Sequence, residues 1–530
     1  MIKSISVTNY KAFKEATIDI KPLTVLLGAN SVGKSSILQL FFLLKQTATF
    51  GSALDKCPFK MYGPFVNMGT VDNLFYKKKE NLPLEVSVTF RNKKMRSFLE
   101  DQLKEFIQVM TTIPYILPIK GLMELQKKKE PKGRYEFFQY IKSIYSILGK
   151  HDVEKYRGAF SYLISGNTSI VSEDVSSLSI DAMMNAYDYL SLLKSSQKAG
   201  DVDYTFKYVF GQKNKKLTIK SISLKAAFEE SSICLFEFDS RDGFTISADK
   251  TAKFNFTDLD FQAVEGAFVK NACIFDCFQE KKSSGASSTI ANYMVGIAKA
   301  ALSYLKQEFN PNRIYHVKPL RANPQRYYVI DDEKLTPYVP SLDGDRVIEI
   351  LRDKEDIYKN VNGWLARYGL ALKIEQSEDV IHHIKIIQNG LELDIPDVGF
   401  GISQLLPILV QSKVSEKGSI TIIEQPEIHL HPIMQADVAD MFRAVASDTK
   451  PFIIETHSEY LLRRIRRRVA TKELSAEDVA IYLFKGSSPE QDSTVVSRLD
   501  MTATGAFEWP SDFYGGELYN DIVDFISAQA

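Results

Sequence analysis

GANSVGKS, residues 28–35, fits G-x-x-x-x-G-K-[ST] in full. It follows the apolar run LTVLL (23–27) and leads into ILQLFFLL (37–44), so it reads as strand, glycine loop and helix, the context the motif requires. Gly28 and Gly33 let the backbone curl so that consecutive N–H groups point at phosphate oxygens, and the helix N-terminus adds partial positive charge. Asn30 and Ser31 fill the loop, Lys34 sets a compact cation near the β- and γ-phosphates, Ser35 offers its hydroxyl to Mg²⁺, and Ser36 continues the helix start. An accidental glycine turn would lack the flanking strand and helix. The loop predicts a bound purine nucleotide.

The bulk of the chain bounds the setting. At 530 residues it exceeds a single hydrophobic core and should divide into several lobes. Lys+Arg and Asp+Glu both number 66, so any nucleic-acid surface must be local. No apolar run approaches the roughly 18 residues needed to span a bilayer. The opening ISVTNY is strand-like rather than a signal peptide. Four cysteines argue against a disulfide scaffold, and these features together predict a cytoplasmic protein. Cys273 and Cys277 are four apart, the spacing of one helix face, with no second pair to complete a metal site.

Outward from the loop, KSISVTNY, ATIDI and LEVSVTF (84–90) read as strands. Residues 95–203 turn helical, and residues 204–256 return to alternation. The pattern predicts one antiparallel sheet split from residues 84–90 by a helical insertion. RIYHV (313–317), IKIIQ (384–388), SITIIE, KPFIIET and AIYLF (480–484) read as further strands, several with helices between them. The expected divisions are 1–94, 95–203, 204–311, 312–485 and 486–530. Residues 77–150 carry 16 Lys/Arg against 8 Asp/Glu, either as solvated helix faces or as a polyanion-facing surface.

Three downstream segments carry more chemistry. DVGFGISQLLPIL (397–409) places Ser403 and Gln404 after a glycine turn at a helix start, either as a second anion site or, for Ser403, as a plain N-cap. TIIEQPEIHLHP (421–432) is a buried strand ending on Glu424. If Glu424 were the water-activating acid, Ile423 would occupy the Mg²⁺-linked position, which an alkyl chain cannot serve. Glu424 is therefore the Mg²⁺-side acid and Gln425 follows it. Glu427, two residues on, is a candidate assistant. His429 and His431 read as loop-packing residues more than a metal pair. PFIIETHSEYLL (451–462) ends a second buried strand at Thr456-His457-Ser458.

Taken together these segments resemble the ABC-type ATPase heads of the SMC, Rad50 and RecF kind, and most closely the bacterial AAA15/AAA21-type and OLD-like ATPases. The likeness covers residues 1–90 and 312–520. It implies an α/β fold: an ABC-type P-loop ATPase head, a mixed sheet flanked by helices plus an antiparallel β-subdomain, with a mostly helical insertion. GFGISQ would be the signature segment, TIIEQPE the Walker B strand and His457 the switch histidine. VTNYKAFKE resembles the opening of those heads and brings Lys11 to the nucleotide. LDMTATGAFEWPSDFYG (499–515) resembles the C-terminal segment DUF3696.

In such heads the signature serine of one copy meets the γ-phosphate held by another, which implies an ATP-sandwiched homodimer or larger even assembly. Gln425 stands where the family's catalytic glutamate usually sits. An amide cannot act as general base, a role worth about 10²–10⁴-fold, although it can orient water; slow hydrolysis is expected. Relatives of this layout, the Septu type above all, serve anti-phage defence beside an HNH nuclease and accompany some retrons. The implied partners are thus an effector nuclease and a reverse transcriptase–RNA complex, with nucleic acid on basic patches and no membrane. The competing expectations are a RecF-like repair ATPase that binds DNA directly, and a nucleotide-sensing scaffold without hydrolysis.

A Toprim nuclease is not expected, because only 73 residues follow His457. His382-His383 sits in an alternating strand and reads as structural. Arg321 and Arg326, in HVKPLRANPQRYY (316–328), lie near phosphate or a neighbouring copy, or else anchor a loop. RRIRRR (463–468) pairs within the chain or meets a polyanion.

Overall fold

The computed structural model describes residues 1–79, 81–116, 119–148, 180–197, 201–228, 231–241, 245–248, 258–279, 289–321, 323–329, 344–378, 380–487, 492–507 and 524–528. Residues 508–515 of the DUF3696-like stretch lie outside these residues.

Six strands form the sheet that carries the phosphate loop. In order across it they are Val495–Leu499, Val479–Lys485, Leu23–Gly28, Phe452–Glu455, Ile420–Glu424 and Ile314–Val317. All pair in parallel except the edge strand Val495–Leu499. Their near-continuous apolar runs are what a sheet covered on both faces requires. Along Leu23–Gly28 the alternation of a pleated strand sends Leu23, Val25 and Leu27 into one core cluster and Leu26 into the other. The helix Lys34–Phe50 then buries nearly its whole length, from Ile37 to Ala48.

The second sheet is a seven-stranded antiparallel one. It unites Phe13–Asp19, Ile2–Tyr10, Leu84–Phe90, Asp203–Lys213, Lys216–Phe228, Ser231–Asp239 and Thr245–Ser247. Leu84–Phe90 pairs directly with Asp203–Lys213, Phe90 opposite Tyr204, so the expected split sheet is present and the helices between its two halves are an insertion. Those helices are Lys93–Ile116, Lys120–Leu125, Arg134–Leu148 and Ile180–Ser195. Their buried faces join the same core as the sheet through contacts such as Phe106 on Phe137 and Tyr293. A smaller sheet pairs Tyr328–Val329, Ile381–Gln388, Leu370–Glu378 and Leu391–Asp394. The architecture is the α/β arrangement of a mixed sheet, helices and an antiparallel sheet.

The cysteine spacing is misleading. Cys273 and Cys277 are buried in a turn, not on a helix, because the Phe268–Phe278 bridge and the Val269 N–H to Cys277 carbonyl bond close a compact loop there. His383 donates from Nδ1 to the Arg326 carbonyl at 2.7 Å and its Nε2 lies 3.1 Å from the Ser377 hydroxyl on the neighbouring strand, a structural setting. Among the described residues no helix is long and apolar enough to cross a membrane.

Candidate functional site

The C-terminal ends of the parallel strands, where open α/β sheets place ligands, converge on the loop after Leu23–Gly28. The loop is shaped by backbone conformations that suit glycine. Gly33 has φ +105, and a Cβ there would lie 2.7 Å from the Phe13 ring, so the N-terminal hairpin turn props the loop from below. Gly28 has φ +145, with the Phe484 carbonyl where a Cβ would be. Ala29, Asn30 and Ser31 are exposed, Ser31 with φ 64, while Ser36 closes the first helical turn by its N–H to the Gly33 carbonyl at 2.9 Å.

Lys34 is only 3% exposed. Its ammonium donates to the carbonyls of Gly28 (2.9 Å) and Ala29 (2.7 Å) and lies 3.7 Å from Glu455. Burial lowers its pKa, with Glu455 opposing. Ser35 Oγ donates to Glu455 Oε2 at 3.3 Å. Glu455 is a residue the sequence reading passed over. Its strand lies between the phosphate-loop strand and the acid strand, and in register it faces Leu26 on one side and Glu424 on the other. Burial pushes its carboxyl up to about 7, the neighbouring Glu424 adding to the rise and Lys34 and Ser35 opposing it.

Glu424 ends its strand as expected, but one of its oxygens is taken. His316 Nε2 and Glu424 Oε1 share a hydrogen bond of 2.6 Å. The His316 ring is held against Phe42, centroids 4.1 Å apart, and burial lowers its pKa against the pull of Glu424. Gln425 adopts φ 46, a left-handed conformation unusual for its type. Its N–H donates to the Glu455 carbonyl at 2.7 Å. Arg321 donates from Nη2 to the carbonyls of Glu424 (3.0 Å) and Gln425 (3.2 Å), which clamps the acid turn from the other side. Arg321 Nε and Nη1 are buried without a partner among the described residues, and burial pulls the guanidinium pKa down to about 10 despite Glu427 and Glu424.

Glu427 joins two loops. It accepts from Thr456 Oγ1 at 2.8 Å and from the His457 N–H at 2.6 Å, so its carboxylate orients the histidine turn. Burial raises its pKa. His457 keeps a buried Nε2 without a hydrogen-bond partner among the described residues, and burial together with Lys34 lowers its pKa. The next residue, Ser458, caps the helix Glu459–Ala470 through the Leu461 N–H at 3.1 Å.

The other candidates scatter around this centre. Ser403 and Gln404 are buried in the first turns of the helix Phe400–Val414, whose cap position is Gly399, so Ser403 is not an N-cap. Lys11, with φ 48 in the hairpin turn, bonds Gln39 on the phosphate-loop helix. His431 caps the helix Pro432–Val445, accepting from the Ile433 N–H, as its loop-packing reading anticipated. Among the described residues there is no cluster of three or more potential metal ligands drawn from His, Cys, Asp and Glu. Arg326 pairs with Asp394 and Asp397 as a loop anchor. In RRIRRR, Arg463 pairs with Glu459, Arg464 with Asp437 and Asp440, and Arg468 with Asp440 and Glu473. Arg466 bonds the Gly505 carbonyl and covers the Phe507 ring, and Arg467 is exposed.

The arrangement is a lysine, a hydroxyl and two adjacent carboxylates beneath a glycine loop, which suits a metal-bound polyphosphate. Comparison with known proteins agrees in kind. Residues 1–462 match the family model described as an AAA ATPase domain. The chain is similar to the DNA replication and repair protein RecF of Streptococcus thermophilus, 24% identical over 134 residues. That match covers 24% of this chain and 36% of the relative. RecF of Streptococcus agalactiae is 26% identical over 134 residues with the same coverage. The chain thus spans about a third of the length of these curated relatives. Among solved structures it is similar to the SMC head domain from Thermotoga maritima at 7% identity and a TM-score of 0.33, covering 94% of this chain and 99% of that one. With a single model matched from the first residue to residue 462, the chain belongs to the AAA ATPase domain family.

Proposed function

We propose that this chain is an ABC-type ATPase that binds ATP with Mg²⁺ at residues 28–36, pairs with a second copy through the nucleotide and hydrolyses it slowly. The observation that carries the reading is Lys34 and Ser35 standing against Glu455, with Glu424 on the adjacent strand. The donor set is oxygen only, as a hard cation such as Mg²⁺ requires, and Lys34 stands 3.7 Å from Glu455. Ser35 and Glu424 would hold the metal, which neutralises charge on the β- and γ-phosphates. Lys34 leaves the Gly28 and Ala29 carbonyls for phosphate oxygens. Arg321 and the Glu455 carbonyl fix the Gln425 backbone, so that its amide orients water without accepting its proton. His457 approaches from the end of the middle strand, its turn set by Glu427.

Pairing rests on the resemblance to SMC- and RecF-like heads, in which Ser403 and Gln404 of one copy would complete the site of the other. On the same footing the chain serves anti-phage defence by controlling a separate effector nuclease of the HNH type, with a reverse transcriptase–RNA complex as a further partner. Steady-state turnover of Gln425→Glu is the test. A rise of roughly 10²-fold is expected from restoring a general base; unchanged turnover would refute the idea that Gln425 limits the chemistry. Light scattering with and without ATP checks the pairing.

The similarity to RecF favours a second reading, direct DNA binding in repair. DNA-stimulated turnover by the isolated chain, falling steeply with salt, would select it. Co-purification of a protein partner at native expression would select the first.

A further inference from the structure

The proposed site leaves one question of geometry. Neighbouring strands lie about 4.8 Å apart. Glu424 is two strands from the phosphate loop, roughly 10 Å of sheet away, while Glu455 is one strand away. The contacts follow this order. Ser35 Oγ and Lys34 Nζ meet Glu455, at 3.3 and 3.7 Å, and Glu424 Oε1 meets His316. The third acid, Glu427, has both oxygens engaged by Thr456 and the His457 N–H.

We infer that Glu455 shares the Mg²⁺ of the bound nucleotide with Ser35 and Glu424, as a second acid ligand supplied by the strand between the phosphate loop and the acid strand. The inference rests on the nucleotide reading above. His316 holds one oxygen of Glu424, in the way that outer partners orient ligating groups, and leaves the other for the metal. Ser35 is already within hydrogen-bond reach of Glu455, so a cation between them replaces one hydrogen bond with two metal–oxygen contacts. Lys34 and the metal then divide the work: the ammonium takes phosphate, and the cation takes the carboxylates.

The test uses the full chain, a non-hydrolysable ATP analogue and Mn²⁺ as a paramagnetic probe of the metal site. Glu455→Gln should weaken Mn²⁺ binding to the analogue complex by about 10- to 100-fold. In EDTA the same variant should bind the analogue more tightly than wild type, because one negative charge fewer faces the triphosphate. Opposite signs in the two conditions are the signature, since a merely structural residue would move both the same way. Glu455→Asp, which keeps the charge, should recover most of the Mn²⁺ affinity and lose the EDTA gain. Wild-type Mn²⁺ affinity in Glu455→Gln, or equal losses with metal and in EDTA, would overturn the inference. A wild-type chain that binds no analogue in either condition overturns the nucleotide reading instead.

Discussion

The arginine helix Glu459–Ala470 and the cluster around Glu455 use the same kinds of side chain to different ends. On the helix, Arg464 and Arg468 share Asp440, Asp437 also pairs with Arg464 and Glu473 with Arg468, and Arg463 pairs within its own turn. Bonds to Arg464 and Arg468 hold Asp440 below the usual carboxylate range despite its burial. Around Glu455 the accounts do not close. Two carboxylates abut on adjacent strands, and Arg321 and His457 keep buried nitrogens without partners among the described residues. Buried polar groups are normally satisfied. The paired network on the helix is structural, whereas unsatisfied nitrogens and adjacent carboxylates at the strand ends have the character of a functional site.

The comparison can be broken at either end. Lys34→Ala should cost roughly 100-fold or more in ATP affinity, read by fluorescent-nucleotide titration, because it removes the ammonium that the glycine loop encloses. Unchanged affinity would remove the phosphate loop from the argument. Asp440→Ala should lower stability by about 2–3 kcal/mol, since it removes the part-buried carboxylate that Arg464 and Arg468 share and leaves each with one acid partner. A thermal melt checks this, and ATP affinity should stay at the wild-type value.

Smaller effects sharpen the contrast. Glu455 has a folded pKa raised from 4.5 to about 7, so between those values the folded chain holds a proton that the unfolded chain has lost. Stability of the ligand-free protein should then fall as pH rises from about 5 to 7, by ~2 kcal/mol, and Glu455→Gln should flatten that slope. A melt series across this range decides it. Least of all, Arg467→Ala should change stability by within about 0.5 kcal/mol, as an exposed position does. A large loss of stability there would mean the helix is not the closed network described.

Much of this was legible in the chain. Buried strands such as TIIE and FIIE announce themselves as apolar runs, and GANSVGKS carries its own context. Gln425 after Glu424 could be placed by register alone. Glu455 was missed because attention fell on the Thr456-His457-Ser458 that follows it. The available signal was that TIIE and FIIE end on the same residue type. What a linear reading cannot supply is lateral order: that FIIE lies between the loop and TIIE, or that His316, from a strand over a hundred residues upstream, closes on Glu424. The arginine run was equally ambiguous, since pairing depends on which acids the helix Pro432–Val445 presents to it.

The strand Leu23–Gly28 is made well before either of its neighbours, which both come from residues 452–485. Strand pairing across such a separation carries a loop-closure cost and is slow to form. During synthesis the phosphate loop waits without these neighbours until residues 452–485 have left the ribosome. A copy terminated before residue 452 lacks the middle strand, Glu455 and His457 together, and its phosphate loop stays without either neighbouring strand.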